Sequence, residues 1–153
     1  MQTQTLKIQI PDGFMIDSLD AASGELKIKP KPKTITERIK NIADLLSENG
    51  LTQNQFDQQC AGLSEDEVAY RLIKMLVKSL NEGWTPDWDN DRQPKYYPWF
   101  YLAGGSSGFR FLGCANWVST STVGSRLCFK SSELCEHAAK HFTEVYKKFM
   151  TIN

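Results

Sequence analysis

The residues best equipped to bind something lie between Lys95 and Lys130, in KYYPWFYLAGGSSGFRFLGCANWVSTSTVGSRLCFK. Nine aromatics fall in that run: Tyr96, Tyr97, Trp99, Phe100, Tyr101, Phe109, Phe111, Trp117 and Phe129. From Arg92 to Ser132 there is no Asp or Glu, yet Arg92, Lys95, Arg110, Arg126 and Lys130 all lie there. The chain has 18 basic and 18 acidic residues, so this window holds +5, and the 13 basic and 18 acidic residues elsewhere leave −5. Flat rings stack on bases, and cationic side chains attract phosphate, so the segment suits an anionic ligand. Alternation in GFRFLG sets Arg110 opposite Phe109 and Phe111; alternation in RLCFK sets Arg126 and Lys130 opposite Leu127 and Phe129. On neighbouring strands in suitable register, Arg110, Arg126 and Lys130 would share a face. Tyr97, Trp99 and Trp117 would then supply the stacking surfaces. A plain sheet core with a cationic rim has the same composition.

Other chemistries find less support. His137 and His141 have the H-x-x-x-H spacing that binds zinc, with Cys128 and Cys135 nearby, but no cysteine knuckle accompanies them, and no metal site is expected. Asp87, Asp89 and Asp91 alternate like the first ligands of a calcium loop. Arg92 then stands where that loop needs glycine and Pro98 where it needs glutamate, so the acidic stretch is expected to answer the basic strands behind it. A Cys128 or Cys114 nucleophile with a histidine base has no local motif behind it. Gly104-Gly105-Ser106-Ser107-Gly108 lacks the order of a P-loop and leads into a strand, so it reads as a hairpin loop. Ser107 to Phe111 departs from the ribonucleoprotein signature, with arginine in place of the small residue. A non-enzymatic protein without a cofactor is the expectation.

The elements that must position these residues follow from periodicity. Leu6, Ile8 and Ile10 alternate up to a Pro-Asp-Gly turn, and Leu26 and Ile28 alternate again, so residues 5–10 and 25–30 are expected to pair around the intervening segment. Lys29 to Lys33, KPKPK, is a basic linker. Thr34…Glu37 and Ser64…Glu67 have capping-box spacing. The first opens a helix with Ile35, Ile39, Ile42 and Leu46 inward, closed by Asn49-Gly50; Thr52 to Cys60 forms a short second one. The other box opens a long helix with Ala69, Leu72, Ile73, Leu76 and Leu80 inward, stopped by Gly83. The second short helix carries no Arg or Lys, which argues against a DNA-reading helix-turn-helix. Tyr96–Ala103, Gly108–Leu112 (extending to Trp117) and Val123–Lys130 are expected as a three-stranded antiparallel meander. Ser131-Ser132 caps one long C-terminal helix with Leu134, Ala138, Phe142, Val145 and Phe149 against the sheet.

The fold class is therefore α+β: an N-terminal β-hairpin and linker (residues 1–33), middle helices (34–83), and a meander under a C-terminal helix (84–153), together one compact domain. No net charge means no bulk attraction to nucleic acid or membrane, so a charged partner must be met locally. No segment approaches a membrane span. The N-terminus has no signal-peptide pattern, so a cytoplasmic chain with four reduced cysteines (Cys60, Cys114, Cys128, Cys135) is expected.

The combination LNEGWTPDWDN…KYYPWF, GFRF and VGSRLCFKSSEL…AAKHF resembles a family of small uncharacterised proteins of phages and prophages of gut Bacteroidales. The resemblance spans about Leu80 to the C-terminus, with a looser match to IPDGFMID…LKIKPK. It implies a cytoplasmic or virion setting and carries over no functional residues. The expected role is a phage-type accessory protein binding single-stranded nucleic acid or a nucleotide through Arg110, Arg126, Lys130, Tyr97, Trp99 and Trp117. The alternative is a virion-associated or protein-interaction module, including an inhibitor of a host protein, with the aromatics as its contact patch.

Overall fold

The computed structural model describes residues 5–102, 108–121 and 124–151. The chain divides into two units, Met1–Lys33 and Thr34–Asn153. The first is an antiparallel hairpin of β1 (Phe14–Asp20) and β2 (Glu25–Pro30). Residues 5–10, expected as its first strand, form none. The tighter closure wins: the Asp20 carboxylate accepts the Ala22 N–H at 2.8 Å, Gly24 N–H reaches Asp20 O at 2.8 Å, and Gly24 sits at φ 73°. A short loop fixes far fewer residues than one long enough to return from residue 10.

In the second unit four helices come first. Helix α1 (Ile35–Arg38) opens where Glu37 accepts the Thr34 N–H at 2.7 Å. The expected single helix breaks after it, and α2 (Ile42–Glu48) restarts on Asn41, whose side chain accepts the Asp44 N–H at 2.9 Å. The carbonyls released by the break are bound from a distant element: His137 Nε2 meets Ile39 O at 2.6 Å and His141 Nδ1 meets Lys40 O at 3.2 Å. The two histidines thus serve a helix end. Burial holds the His137 imidazole below its ordinary value against the opposing effect of the Ile39 carbonyl. Helix α3 (Gln53–Gln59) is capped by a Thr52–Gln55 box. Helix α4 (Glu65–Asn81) starts at the Ser64–Glu67 box and ends on Glu82 at φ 47°. Its stripe of Leu72, Ile73, Leu76 and Leu80 is buried and forms the middle of the core, each such side chain worth about 1.5–3 kcal/mol.

The C-terminal half departs most from expectation. Strands β3 (Lys95–Tyr101) and β4 (Arg110–Trp117) pair antiparallel, and they are the whole of their sheet. Among the described residues there is no three-stranded meander. The third segment contributes one isolated bridge, with Tyr96 N–H to Phe129 O at 3.0 Å and Phe129 N–H to Tyr96 O at 2.9 Å. Val123, its expected first residue, and the Ala103–Ser107 stretch lie outside the described residues. Tyr96 turns its N–H and C=O to Phe129, and the next residues on that edge, Pro94 and Pro98, have no N–H to donate, so the ladder stops at one bridge. On the far side of the segment the buried Asn81 amide donates to Cys128 O at 2.8 Å and accepts the Lys130 N–H at 3.0 Å.

The expected single C-terminal helix is also two: α5 (Ser132–His141) and α6 (Thr143–Met150), separated at Phe142. Thr143 Oγ1 donates to Ala139 O at 2.7 Å across the break. Helix α5 lies against both β3 and β4, and α6 against α4. A disulfide joins Cys114 on β4 to Cys135 on α5, whose Cα atoms are 6.5 Å apart. The expectation of four reduced thiols therefore fails for this pair, because the strand and helix place the two side chains face to face; Cys60 and Cys128 are free and buried.

Candidate functional site

The β3–β4 register sorts the aromatics. Lys95 pairs with Trp117, Tyr97 with Ala115 and Trp99 with Gly113, so by period-two alternation Tyr97, Trp99 and Trp117 share one face. Tyr96 and Cys114 fall on the other, where the disulfide ties the sheet to α5. A shift at Trp99/Phe100 then brings Phe100 opposite Phe111. Phe100 is buried against Phe109, Phe111 and Tyr146, with ring centroids 4.8, 5.9 and 5.0 Å away.

Between β3 and α6 lies a cavity of about 370 Å³. Strand β3 and its continuation give it Tyr97, Pro98, Trp99, Phe100 and Leu102; β4 gives Trp117; the segment after β4 gives Ser121, Gly124 and Leu127; and α6 gives Tyr146, Phe149 and Met150. Its volume and largely apolar wall with a few polar groups suit a small organic ligand. All three expected stacking residues are in that wall. Trp99 is 53% exposed and Trp117 40%, so both rings have faces open to a ligand. The Tyr97 hydroxyl stands 3.5 Å from Ser121 Oγ. Burial pushes the Tyr97 phenol up, with the Ser121 bond opposing.

The three expected cations are held by different neighbours. Arg110 lies over the Tyr101 ring, 4.5 Å from its centroid. Lys130 Nζ donates to Asn81 O at 3.3 Å and stands 3.7 Å from the Glu82 carboxylate. Arg126 is exposed in the turn closed by Leu127 N–H to Gly124 O, beside two residues of the cavity wall. None of Arg110, Arg126 and Lys130 is in the cavity lining, whereas Tyr97, Trp99 and Trp117 all are.

Lys95 is the window's buried cation. Its Nζ donates to Asp87 O and, at 3.2 Å, to Asn90 O, and it lies 5.2 Å from the centre of the Trp88 ring. The acidic stretch does answer the basic strand, but through main-chain carbonyls and an indole face. One of its carboxylates bonds back to the loop: Asp87 accepts the Asp89 N–H at 3.0 Å. This loop fixes the start of β3, two residues before Tyr97.

Cysteine chemistry finds no foothold at the cavity. Cys114 is in the disulfide, and burial pushes the Cys128 thiol up despite the opposing bond from Tyr97, so little thiolate exists at neutral pH. Among the described residues no group of three or more His, Cys, Asp or Glu stands together as a metal site. No described helix is long and apolar enough to cross a membrane.

Sequence reasoning missed α6 as a wall of the site, above all Tyr146. One continuous helix puts Val145 and Phe149 on the core stripe and Tyr146 beside it; the break at Phe142 resets the phase and buries Tyr146 as well. The only signal available was the threonine at position 143, able to bond back to the preceding turn. No protein-family model, no curated protein and no solved structure matches the chain.

Proposed function

We propose that the protein is a non-catalytic binding module that takes a flat heteroaromatic ring, such as the base of a nucleotide or an unpaired base of a single strand, in the cavity between β3 and α6. The convergence of Tyr97, Trp99 and Trp117 on one cavity carries this reading. Recognition is through the ring more than through phosphate, because of the three expected cations only Arg126 adjoins the cavity wall.

Titration of the full chain with adenosine, AMP and hexathymidylate, followed by tryptophan fluorescence, tests it. Trp99→Ala and Trp117→Ala should each weaken binding by about 1–3 kcal/mol, the worth of one stacking ring. Arg110→Ala with Lys130→Ala should leave affinity within roughly twofold, as expected for exposed charges away from the ligand. Hexathymidylate affinity should fall with salt at a log–log slope no steeper than about −1, whereas three engaged cations give about −2. A slope near −2, or binding that ignores both tryptophans, contradicts the proposal.

A second reading rests on the mouth of the same cavity. Trp99 and Leu102 are each 53% exposed and Met150 37%, an apolar rim of the kind that anchors a protein partner. A partner that competes with adenosine for the cavity would favour it.

A further inference from the structure

The second unit holds another cavity, of about 520 Å³, among α2, α3, α4 and α6. It shares no lining residue with the ring cavity: α6 gives Tyr146, Phe149 and Met150 to that one and Glu144, Val145 and Lys148 to this. Its apolar part is made of the buried Phe56, Leu72 and Val145 and the half-buried Ile42, Leu63 and Val68. Its charges are uneven. The exposed carboxylates of Asp57, Glu65 and Glu144 face one ammonium, Lys148, so one positive and three negative charges leave −2. Lys148 Nζ is 3.7 Å from Glu65, and one oxygen of Asp57 accepts from Gln53 Nε2 at 2.8 Å. Among the described residues Glu144 has neither a hydrogen bond nor an ion pair. Glu65 and Glu144 lie in the first turns of α4 and α6, where a helix N-terminus favours acids on its own account. Asp57 lies in the last turn of α3, where the same dipole disfavours it. Helix dipoles therefore do not explain why acids from three helices meet over one apolar hollow.

We propose that this cavity is a second binding site, for a small organic cation: an apolar body carrying an ammonium or amidinium group, the body against Phe56, Leu72 and Val145 and the charge among Asp57, Glu65 and Glu144. A hollow of this size, with an apolar wall and a few polar groups, suits a ligand of that class. The wall supplies most of the affinity, because an ion pair at an exposed rim adds little. The carboxylates supply the selection, because an anion of the same shape meets net repulsion there. The site is independent of the ring cavity, and each stands if the other fails.

Phenethylammonium, phenethyl alcohol and hydrocinnamate share one body and differ in charge. Each is titrated into the full chain and followed by backbone amide and indole NMR signals. The ammonium should bind roughly two- to tenfold more tightly than the alcohol, as carboxylates at an exposed rim allow, and hydrocinnamate should bind weakest. Its shifts should centre on Val68 and Glu144 and leave the Trp99 and Trp117 indoles still. Asp57→Asn combined with Glu144→Gln should bring the ammonium to within about twofold of the alcohol, and so should about 1 M sodium chloride. Equal affinity for all three probes, or an advantage that survives in the double variant, overturns the proposal. So does binding of none of them, or binding that shifts only the Trp99 and Trp117 signals, which would put the cation in the ring cavity instead.

Discussion

The described residues form two antiparallel strand pairs of nearly equal length and opposite fate. In the first, every residue of β1 is exposed; register places Phe14, Ile16, Leu19, Leu26 and Ile28 on one face, and Leu19 is 64% exposed. In the second, β3 and β4 lie on α5, are tied to it by Cys114–Cys135, and are extended by the Tyr96–Phe129 bridge. A lone hairpin in water is marginal, and an exposed ion pair such as Lys29–Asp17 at 2.7 Å adds little. Pairing of strands therefore does not make a site. What sets β3–β4 apart is the backing of one face, which leaves Tyr97, Trp99 and Trp117 presented from the other on a fixed base.

That contrast can be broken most forcefully at its support. Phe129→Ala removes a side chain that is 0% exposed and should cost about 3–5 kcal/mol in urea unfolding. Asn81→Leu strips partners from Cys128 O and Lys130 N–H and should cost about 1–3 kcal/mol for each group left unpaired. The same truncation at Ile16 or Leu19 in the hairpin should stay within about 0.5 kcal/mol. All four tryptophans lie in the second unit, so their fluorescence reports that unit alone. A hairpin truncation that costs as much as Phe129→Ala would erase the distinction between the two sheets.

The disulfide gives a smaller and more selective effect. Reduction should lower the stability of the second unit by about 3 kcal/mol for a loop spanning 21 residues. Denatured, unreduced protein should present two thiols, Cys60 and Cys128. Four reactive thiols, or a stability indifferent to reductant, would mean that packing alone holds β4 on α5.

Local chemistry was the part of the fold that could be read from the sequence. Both capping boxes, the α4 stripe, and the segments that became β3 and β4 announce themselves within a few residues, and so do the three rings of the cavity. What escaped depends on residues far apart in the chain. Asn81 captures the backbone at Cys128 and Lys130, His137 and His141 bind carbonyls about a hundred positions earlier, and Glu82 engages Lys130. Strand alternation around Arg110, Arg126 and Lys130 carries no trace of such partners: Arg110 lies over the Tyr101 ring and Lys130 beside Glu82. Tyr97, Trp99 and Trp117 meet in one cavity lining, with the Tyr97 hydroxyl also reaching Ser121.

The account depends on rings gathered at one cavity, and the four tryptophans supply their own control. Trp99 and Trp117 line the cavity; Trp88 packs near Lys95, and Trp84 lies in the same loop segment, outside the lining. Indole N–H signals in a heteronuclear NMR titration with adenosine measure this directly. Trp99 and Trp117 should shift together along one saturating curve while Trp84 and Trp88 stay still. Saturating binding that moves Trp84 and Trp88 instead, or leaves all four signals in place, would contradict the account.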